Sequence, residues 1–361
     1  MRAIIACGGT GGHLFPGLAV AEVMRDRGHE ILLFVSEKDI DTQALKGYPE
    51  FRSERLPSIG LPSVISPAFI SFLRRMWDSV SRCREVYRRN RPGVILGMGG
   101  FTSMAPVIAG RMMGIPTLIH ESNAIPGRAN KKASRFVHHV LLGLEGCKKY
   151  FPNADTIVTG TPIRSTLGQP MPREEALAAF KLDPSRKTLL VMGGSQGAAG
   201  INQLLFKSAP ILAKTNIQII HLTGDRDDQL AAANYLRDNI PAYVASFHHR
   251  MAEAYSAADL AVSRAGAASI SELSAFGIPS ILIPYPYATD NHQEENARIF
   301  AEANAALLVK ESETGSEIFT RLLLGLLEDD HRRMQMSEAA KAVAPLDAAQ
   351  NVANVMERIA T

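Results

Sequence analysis

Cysteine is scarce in this sequence. Cys7, Cys83 and Cys147 are three in number and far apart. That argues against a disulfide framework or a cysteine zinc site, and for a reducing cytoplasm. No 18 consecutive apolar residues occur, so no membrane-spanning helix is expected. The start, MRAIIACGGTGGH, lacks an apolar signal region with a small-residue cleavage site, which argues against secretion. The two glycine-rich turns fit neither G-x-G-x-x-G with an acidic residue about 20 positions on nor G-x-x-x-x-G-K-S/T, so a nicotinamide cofactor and a P-loop are disfavoured. No ligand set for a metal clamping a nucleotide diphosphate is evident. Neither a divalent cation nor another cofactor is therefore expected to be required.

Wholesale disorder is excluded by 46% hydrophobic and 21% charged residues. At ~150 residues per domain, 361 residues suggest about two domains. The net charge of +3 is spread unevenly. Residues 1–164 hold 22 Lys+Arg against 13 Asp+Glu, and residues 165–361 hold 17 against 23. The basic first half suggests an anionic partner: nucleic acid, a phospholipid surface or a phosphorylated substrate.

Short apolar runs alternate with longer helical patterns. Ala3–Cys7, Ile31–Val35, Val94–Leu96 and Thr117–Ile119 read as buried strands of a parallel sheet. Helical spacing covers Pro16–Arg27 and Ala68–Arg89. A second series of strands follows: Thr188–Met192, Ile217–Leu222, Ala242–Ser246, Leu260–Ser263, Ser280–Pro284 and Ala306–Val309. The alternation predicts two doubly wound α/β units. Gly160–Pro172, with three prolines and two glycines, is the best linker.

Both units open alike. A strand leads into Gly8-Gly9-Thr10-Gly11-Gly12-His13 and a helix near Pro16; another leads into Gly193-Gly194-Ser195-Gln196-Gly197 and a helix near Ala199. Such loops let backbone N–H groups and a helix N-terminus approach a phosphate, although one loop alone also reads as a plain tight turn. His13, beside a helix N-terminus, is a candidate general base, because that setting favours neutral imidazole. Ser263–Glu272 places small residues before a helix expected near Ala268. Glu272 there could accept hydrogen bonds from vicinal hydroxyls, as in ribose, or simply stabilise the helix start. Asp290–Asn296 gathers carboxamides and carboxylates suited to a sugar; an ordinary polar helix start fits equally. On Ala68–Arg89, Phe69, Phe72, Leu73, Met76, Val80, Cys83 and Tyr87 form a core-type face. Phe69, Phe72 and Trp77, with Arg74 and Arg75, could instead meet an anionic membrane surface. Nucleic acid is not expected, for lack of another basic-aromatic patch.

Seven stretches now fall in order: GGTGGH, LGMGG (Leu96–Gly100), HESN (His120–Asn123), GTPIR (Gly160–Arg164), GGSQG, SRAGAASISE and DNHQEENA. Together they resemble the bacterial MurG family of peptidoglycan glycosyltransferases, from residue 1 to about 355. The resemblance implies an α/β GT-B fold, two Rossmann-like doubly wound domains separated by a cleft. The first would span residues 1–163 and take the lipid acceptor, the second 164–345 and take the nucleotide sugar. A helix within 346–361 would cross back to the first. The implied reaction transfers N-acetylglucosamine from UDP-N-acetylglucosamine to the 4-hydroxyl of the muramoyl sugar of lipid I, with inversion, giving lipid II and UDP. The implied place is the cytoplasmic face of the bacterial membrane, bound peripherally to anionic phospholipid.

Residue roles carry over by motif. His13 matches the suggested base, with Glu121 as the runner-up. Thr10, Gly11 and Gly12 lie in the first loop, facing the cleft and the acceptor diphosphate, and are grouped with the donor-binding residues. Asn123 matches a donor-sugar contact; Arg164 and Ser195 match diphosphate contacts. Ala267, Ala268, Ser269, Ile270, Ser271 and Glu272 match the nucleotide stretch, with Glu272 at the ribose. Gln293 and Asn296 match sugar-hydroxyl contacts, and His248 matches a backbone reader of uracil. Ser122, Thr161 and Glu294 depart from the family pattern. The competing readings are another enzyme on the same scaffold, either a glycosyltransferase with a different acceptor or a UDP-N-acetylglucosamine 2-epimerase, and a non-catalytic nucleotide-sugar binder with a membrane-docking basic face.

Overall fold

The computed structural model describes residues 1–57, 68–167, 169–194, 197–343 and 347–360, without the side chains of Asp39, Ile40, Ala68, Phe69 and Thr166. The chain divides into two compact units, Met1–Ser165 with Asp347–Thr361, and Thr166–Leu346. The division falls inside the Gly160–Pro172 segment.

The first unit holds β1 (Arg2–Ala6), α1 (Gly11–Asp26), β2 (Glu30–Ser36), α2 (Asp39–Leu45), β3 (Arg52–Leu56), α3 (Ala68–Arg89), β4 (Val94–Gly97), α4 (Met104–Met112), β5 (Thr117–Glu121), α5 (Arg128–Ala133), β6 (His139–Leu142) and β7 (Thr156–Val158). The sheet is parallel throughout, in the order β3-β2-β1-β4-β5-β6-β7. Side chains alternate across a strand, and β1 shows the consequence. Ala3 and Ile5 pack with Leu14 and Leu18 of α1 on one face. Ile4 and Ala6 pack with Val80 and Tyr87 of α3 on the other. Both faces are covered, which is why these strands read as unbroken apolar runs.

The second unit holds α6 (Arg173–Phe180), β8 (Lys187–Met192), α7 (Ala199–Leu212), β9 (Ile217–Leu222), α8 (Asp228–Arg237), β10 (Ala242–Ala245), α9 (Met251–Ala257), β11 (Leu260–Ser263), α10 (Ala267–Ala275), β12 (Ser280–Leu282), α11 (His292–Glu302), β13 (Ala306–Leu308), α12 (Ser316–Glu328) and α13 (Asp330–Val343). Its parallel sheet runs β10-β9-β8-β11-β12-β13. A final helix, α14 (Ala348–Ala360), belongs to the first unit. Its Val352, Ala353 and Met356 enter the α1 side of that unit's core. Glu357 bonds Arg27 at 2.8 Å and His29 at 2.7 Å.

The expected strands form: Ile217–Leu222 and Leu260–Ser263 match end to end, and the others differ by one or two residues at one or both ends. Three were not foreseen: β3, β6 and β7. The first helix begins at Gly11, five residues before the expected Pro16. Thr10 is extended, with φ −153°, and its carbonyl accepts from His13 and Leu14 N–H. Gly11 and Gly12 therefore form the first helical turn despite their poor helix propensity. Proline's preference for the first helical position suggests a later start, but the chain already turns at Thr10.

Candidate active site

The first glycine loop is held from below by Asp41, which is fully buried. Its Oδ2 accepts from Gly9 N–H at 2.9 Å, Ser36 N–H at 2.8 Å and the Ser36 hydroxyl at 2.6 Å. Lys38 Nζ donates to the Gly9 carbonyl at 2.9 Å. A Cβ on Gly8 would lie 2.3 Å from Ser36 N, so only glycine fits there.

His13 occupies the first turn of α1, where the helix dipole disfavours a cation. Its Nδ1 is 3.1 Å from Thr10 Oγ1. The LGMGG turn covers the ring: a Cβ on Gly99 (φ +105°) would sit 3.0 Å from Nε2. Two motifs far apart in sequence thus meet on one imidazole. Burial holds its pKa below the ordinary histidine value; the Glu121 and Asp41 carboxylates oppose that shift, and Lys38 adds to it.

Glu121, at the end of β5, is buried and heavily engaged. Oε1 accepts from Asn123 N–H at 3.0 Å and Asn123 Nδ2 at 3.2 Å; Oε2 accepts from Gly127 N–H at 3.0 Å and Asn130 Nδ2 at 2.8 Å. Four donors on one carboxylate make it an organiser of the 123–130 loop. His120 Nε2 donates to the Gly160 carbonyl at 2.9 Å, joining HESN to GTPIR. The Ser122 hydroxyl approaches His120 Nδ1 at 3.3 Å, and Thr161 is buried. Arg164 stacks over the Phe15 ring of α1, 4.6 Å from its centroid. That places its guanidinium beside the first glycine loop, within the first unit.

In the second unit, Ser195 and Gln196 lie outside the described residues. Their flanking glycines are strictly required. A Cβ on Gly193 would meet Ala198 N at 2.2 Å, and one on Gly197 (φ +72°) would meet the Thr223 carbonyl at 2.1 Å. Asn202, in the first turns of α7, was not singled out from sequence. Its Nδ2 donates to the Thr223 carbonyl at 3.1 Å and Asp227 at 2.7 Å, and its Oδ1 is 3.0 Å from His221 Nε2.

The Ser263–Glu272 stretch forms the end of β11, a turn and α10. Ala267, Ile270 and Ser271 are buried, while Ala268, Ser269 and Glu272 are partly exposed. Ile270 therefore serves the core and offers a ligand only its backbone. Arg264 is buried; Nη1 donates to the Ile283 and Pro284 carbonyls and pairs with Glu311 at 2.7 Å. Sequence alone does not separate this buried structural arginine from the small residues around it.

Gln293 Oε1 accepts from Tyr285 N–H at 2.9 Å. Asn296 corrects an expectation. It is fully buried and donates to the Ala265 carbonyl at 3.0 Å, so it holds the turn and offers no exposed surface to a sugar. The charge of Glu294 is met by Arg298 and Lys310, each at 3.1 Å. His248 packs its ring 5.0 Å from that of Phe180 and bonds Glu253 at 3.2 Å.

Residues 3–142 match the glycosyltransferase family 28 N-terminal domain, and residues 188–356 match its C-terminal domain. The chain is 37% identical to the UDP-N-acetylglucosamine–N-acetylmuramyl-(pentapeptide) pyrophosphoryl-undecaprenol N-acetylglucosamine transferase of Geobacter metallireducens, across 99% of this chain and 98% of that one. The Bacillus licheniformis enzyme of the same name is 35% identical across 99% of each.

The chain belongs to the MurG family of glycosyltransferase family 28.

The crystal structure of Acinetobacter baumannii MurG covers 99% of each chain with a TM-score of 0.79 and 26% identity. Together with the two doubly wound units, this shows the GT-B fold. A solved Listeria monocytogenes protein titled as a UDP-N-acetylglucosamine 2-epimerase is only 12% identical at a TM-score of 0.68, a likeness of fold alone.

Two features bear on expectations outside the MurG motifs. Against the expectation that no Asp-x-Asp occurs, the chain contains two such triplets, Asp39–Asp41 and Asp225–Asp227. Asp41 is spent on the first loop and Asp227 on Asn202. Among the described residues no three His, Cys, Asp or Glu side chains gather as a metal site. On α3, Phe72 is buried, edge-on to Phe101 at 5.9 Å, and cannot enter a membrane. Leu73, assigned to the core face, is instead exposed, as are Ile70 and Trp77, with Arg74 and Arg75 beside them. The Phe69 side chain lies outside the described residues. All three cysteines are buried free thiols.

Proposed function

We propose that this chain transfers N-acetylglucosamine from UDP-N-acetylglucosamine to the 4-hydroxyl of the muramoyl sugar on undecaprenyl-diphospho-muramoyl-pentapeptide, with inversion. The observation that carries the mechanism is His13, neutral by environment and lying under a turn that has no side chain. With Nδ1–H donated to Thr10 Oγ1, Nε2 is the acceptor of the acceptor-hydroxyl proton. The missing Cβ at Gly99 keeps space beside that nitrogen. As O4 bonds to the anomeric carbon, its proton passes to Nε2. The bond from that carbon to phosphate oxygen breaks, and UDP leaves with the electron pair. Asp41 and Glu121 stabilise the imidazolium that forms. Thr10, Gly11 and Gly12 line the first loop, and Arg164 beside them supplies fixed positive charge for a diphosphate. On the second unit the glycine loop with Ser195 and the α10 N-terminus hold the nucleotide diphosphate, the His248 backbone reads the base, Glu272 takes the ribose hydroxyls, and Gln293 takes the sugar. Asn123 is assigned, from its motif, to the donor sugar. No step requires a metal ion.

Ile70, Leu73 and Trp77 lie three and four residues apart on α3, flanked by arginines. This strip supports peripheral attachment to anionic lipid at the cytoplasmic face. No described helix is long and apolar enough to cross a membrane.

Product analysis tests the reaction. With UDP-N-acetylglucosamine and a short-chain acceptor lipid, NMR should show a β-linked disaccharide. An epimerised nucleotide sugar, or α linkage, would refute the proposal.

A further inference from the structure

Tyr255 lies on α9, outside every glycine-rich motif, and is 2% exposed. Its hydroxyl donates to Glu272 Oε2 at 2.6 Å. The same oxygen lies 3.8 Å from Sδ of Met192, the last residue of β8 before the second glycine loop. Its ring packs against Phe276, one turn beyond Glu272, with centroids 5.2 Å apart. The hydroxyl thus sits where three elements meet: α9 supplies it, α10 carries its acceptor, and β8 ends beside it.

Resting on the assignment of Glu272 to the ribose, we propose that Tyr255 is the positioning residue that fixes the Glu272 carboxylate for the vicinal ribose hydroxyls. A carboxylate accepts from two adjacent hydroxyls only when its plane is aligned with both. On a flexible glutamate side chain that alignment costs rotamer freedom when ligand binds. A short bond from a buried phenol sets the plane in advance. The phenol is 2% exposed and its ring packs on Phe276, which holds it in place. At 2.6 Å the bond is short, in the range typical of hydroxyl-to-carboxylate hydrogen bonds. Tyr255 need not touch the nucleotide; its effect passes through Glu272. It would therefore govern the choice between ribose and deoxyribose nucleotides, leaving the diphosphate contacts unaffected.

The test compares UDP with 2′,3′-dideoxy-UDP by calorimetry on the full-length protein, wild type and Tyr255→Phe. Wild type should prefer UDP by ~10-fold or more, the scale of hydrogen bonds to a charged group. Tyr255→Phe should shrink that preference to within about threefold and leave affinity for the dideoxy compound nearly unchanged. A merely structural tyrosine would weaken both ligands alike. Should the phenylalanine variant not fold, 3-fluorotyrosine at position 255 keeps the ring and strengthens the donor, and the preference should rise. A preference kept at the wild-type value in Tyr255→Phe, or unmoved by fluorotyrosine, overturns the positioning role and leaves Glu272 at the ribose. No preference in wild type overturns the ribose assignment itself, and the inference with it.

Discussion

His13 shows how much one residue owes to groups distant in sequence. Its candidacy was legible from its place after a strand and a glycine loop. The groups that tune it were not: Lys38 with Asp41, Glu121, and the Gly99–Gly100 turn come from three separate segments. Its pKa is lowered chiefly by burial, so the neutral base persists to lower pH than for free imidazole. Activity should fall only as pH drops through that lowered value. The acid limb of the kcat/KM profile should thus have its midpoint below about 6.5. A midpoint at or above the ordinary histidine value would contradict it. Glu121 was the runner-up from sequence, and nothing in sequence showed that its carboxylate accepts four hydrogen bonds from the 123–130 loop. Asn296 misled for a general reason: a carboxamide near a sugar-type motif looks the same in sequence whether it faces ligand or backbone.

At the scale of elements, the strands in the middle of each sheet were legible because both faces are buried and the runs are apolar. The strands β3, β6 and β7 were not. The β3 sequence, RSERL, is polar and forms the edge of its sheet with most residues exposed. The β7 strand, at the opposite edge, has three residues, and β6 beside it has four. Helix α3 was legible as amphipathic, but its apolar residues serve two surfaces. Phe72, Val80, Cys83 and Tyr87 are buried; Ile70, Leu73 and Trp77 are 75%, 51% and 57% exposed. Period alone does not separate these sets, since the helix is covered at its later turns and open at its start. Wild type should co-sediment with anionic vesicles and release as salt rises. Trp77→Ser with Ile70→Ser should bind more weakly at every salt concentration. Equal binding by wild type at low and high salt would refute the electrostatic part, and equal binding by the double variant the apolar part.

The whole molecule comprises two units, each with its own sheet and core, and each holding a histidine whose pKa desolvation lowers. In the second unit His221 is fully buried between Tyr235, at 2.8 Å, and Asn202. Desolvation lowers its pKa to about 3. The unfolded chain takes up that proton near pH 6.5, while the native state refuses it until about 3. The stability His221 contributes is complete above the unfolded value and is lost as pH falls, by up to about 1.4 kcal/mol per pH unit. His221→Gln should be less stable at pH 7 yet lose stability less steeply between pH 6 and 4. Urea unfolding of the second unit at several pH values checks this; parallel slopes would contradict it.

The central claim is that the chain is a glycosyltransferase with His13 as its base. UDP release from UDP-N-acetylglucosamine, with and without a short-chain acceptor lipid, tests it in wild type and His13→Ala side by side. Release by wild type should depend on the acceptor, and His13→Ala should lower it ~10²–10⁴-fold while still binding the donor. Release without the acceptor at the same rate, or a loss below tenfold in His13→Ala, would contradict it.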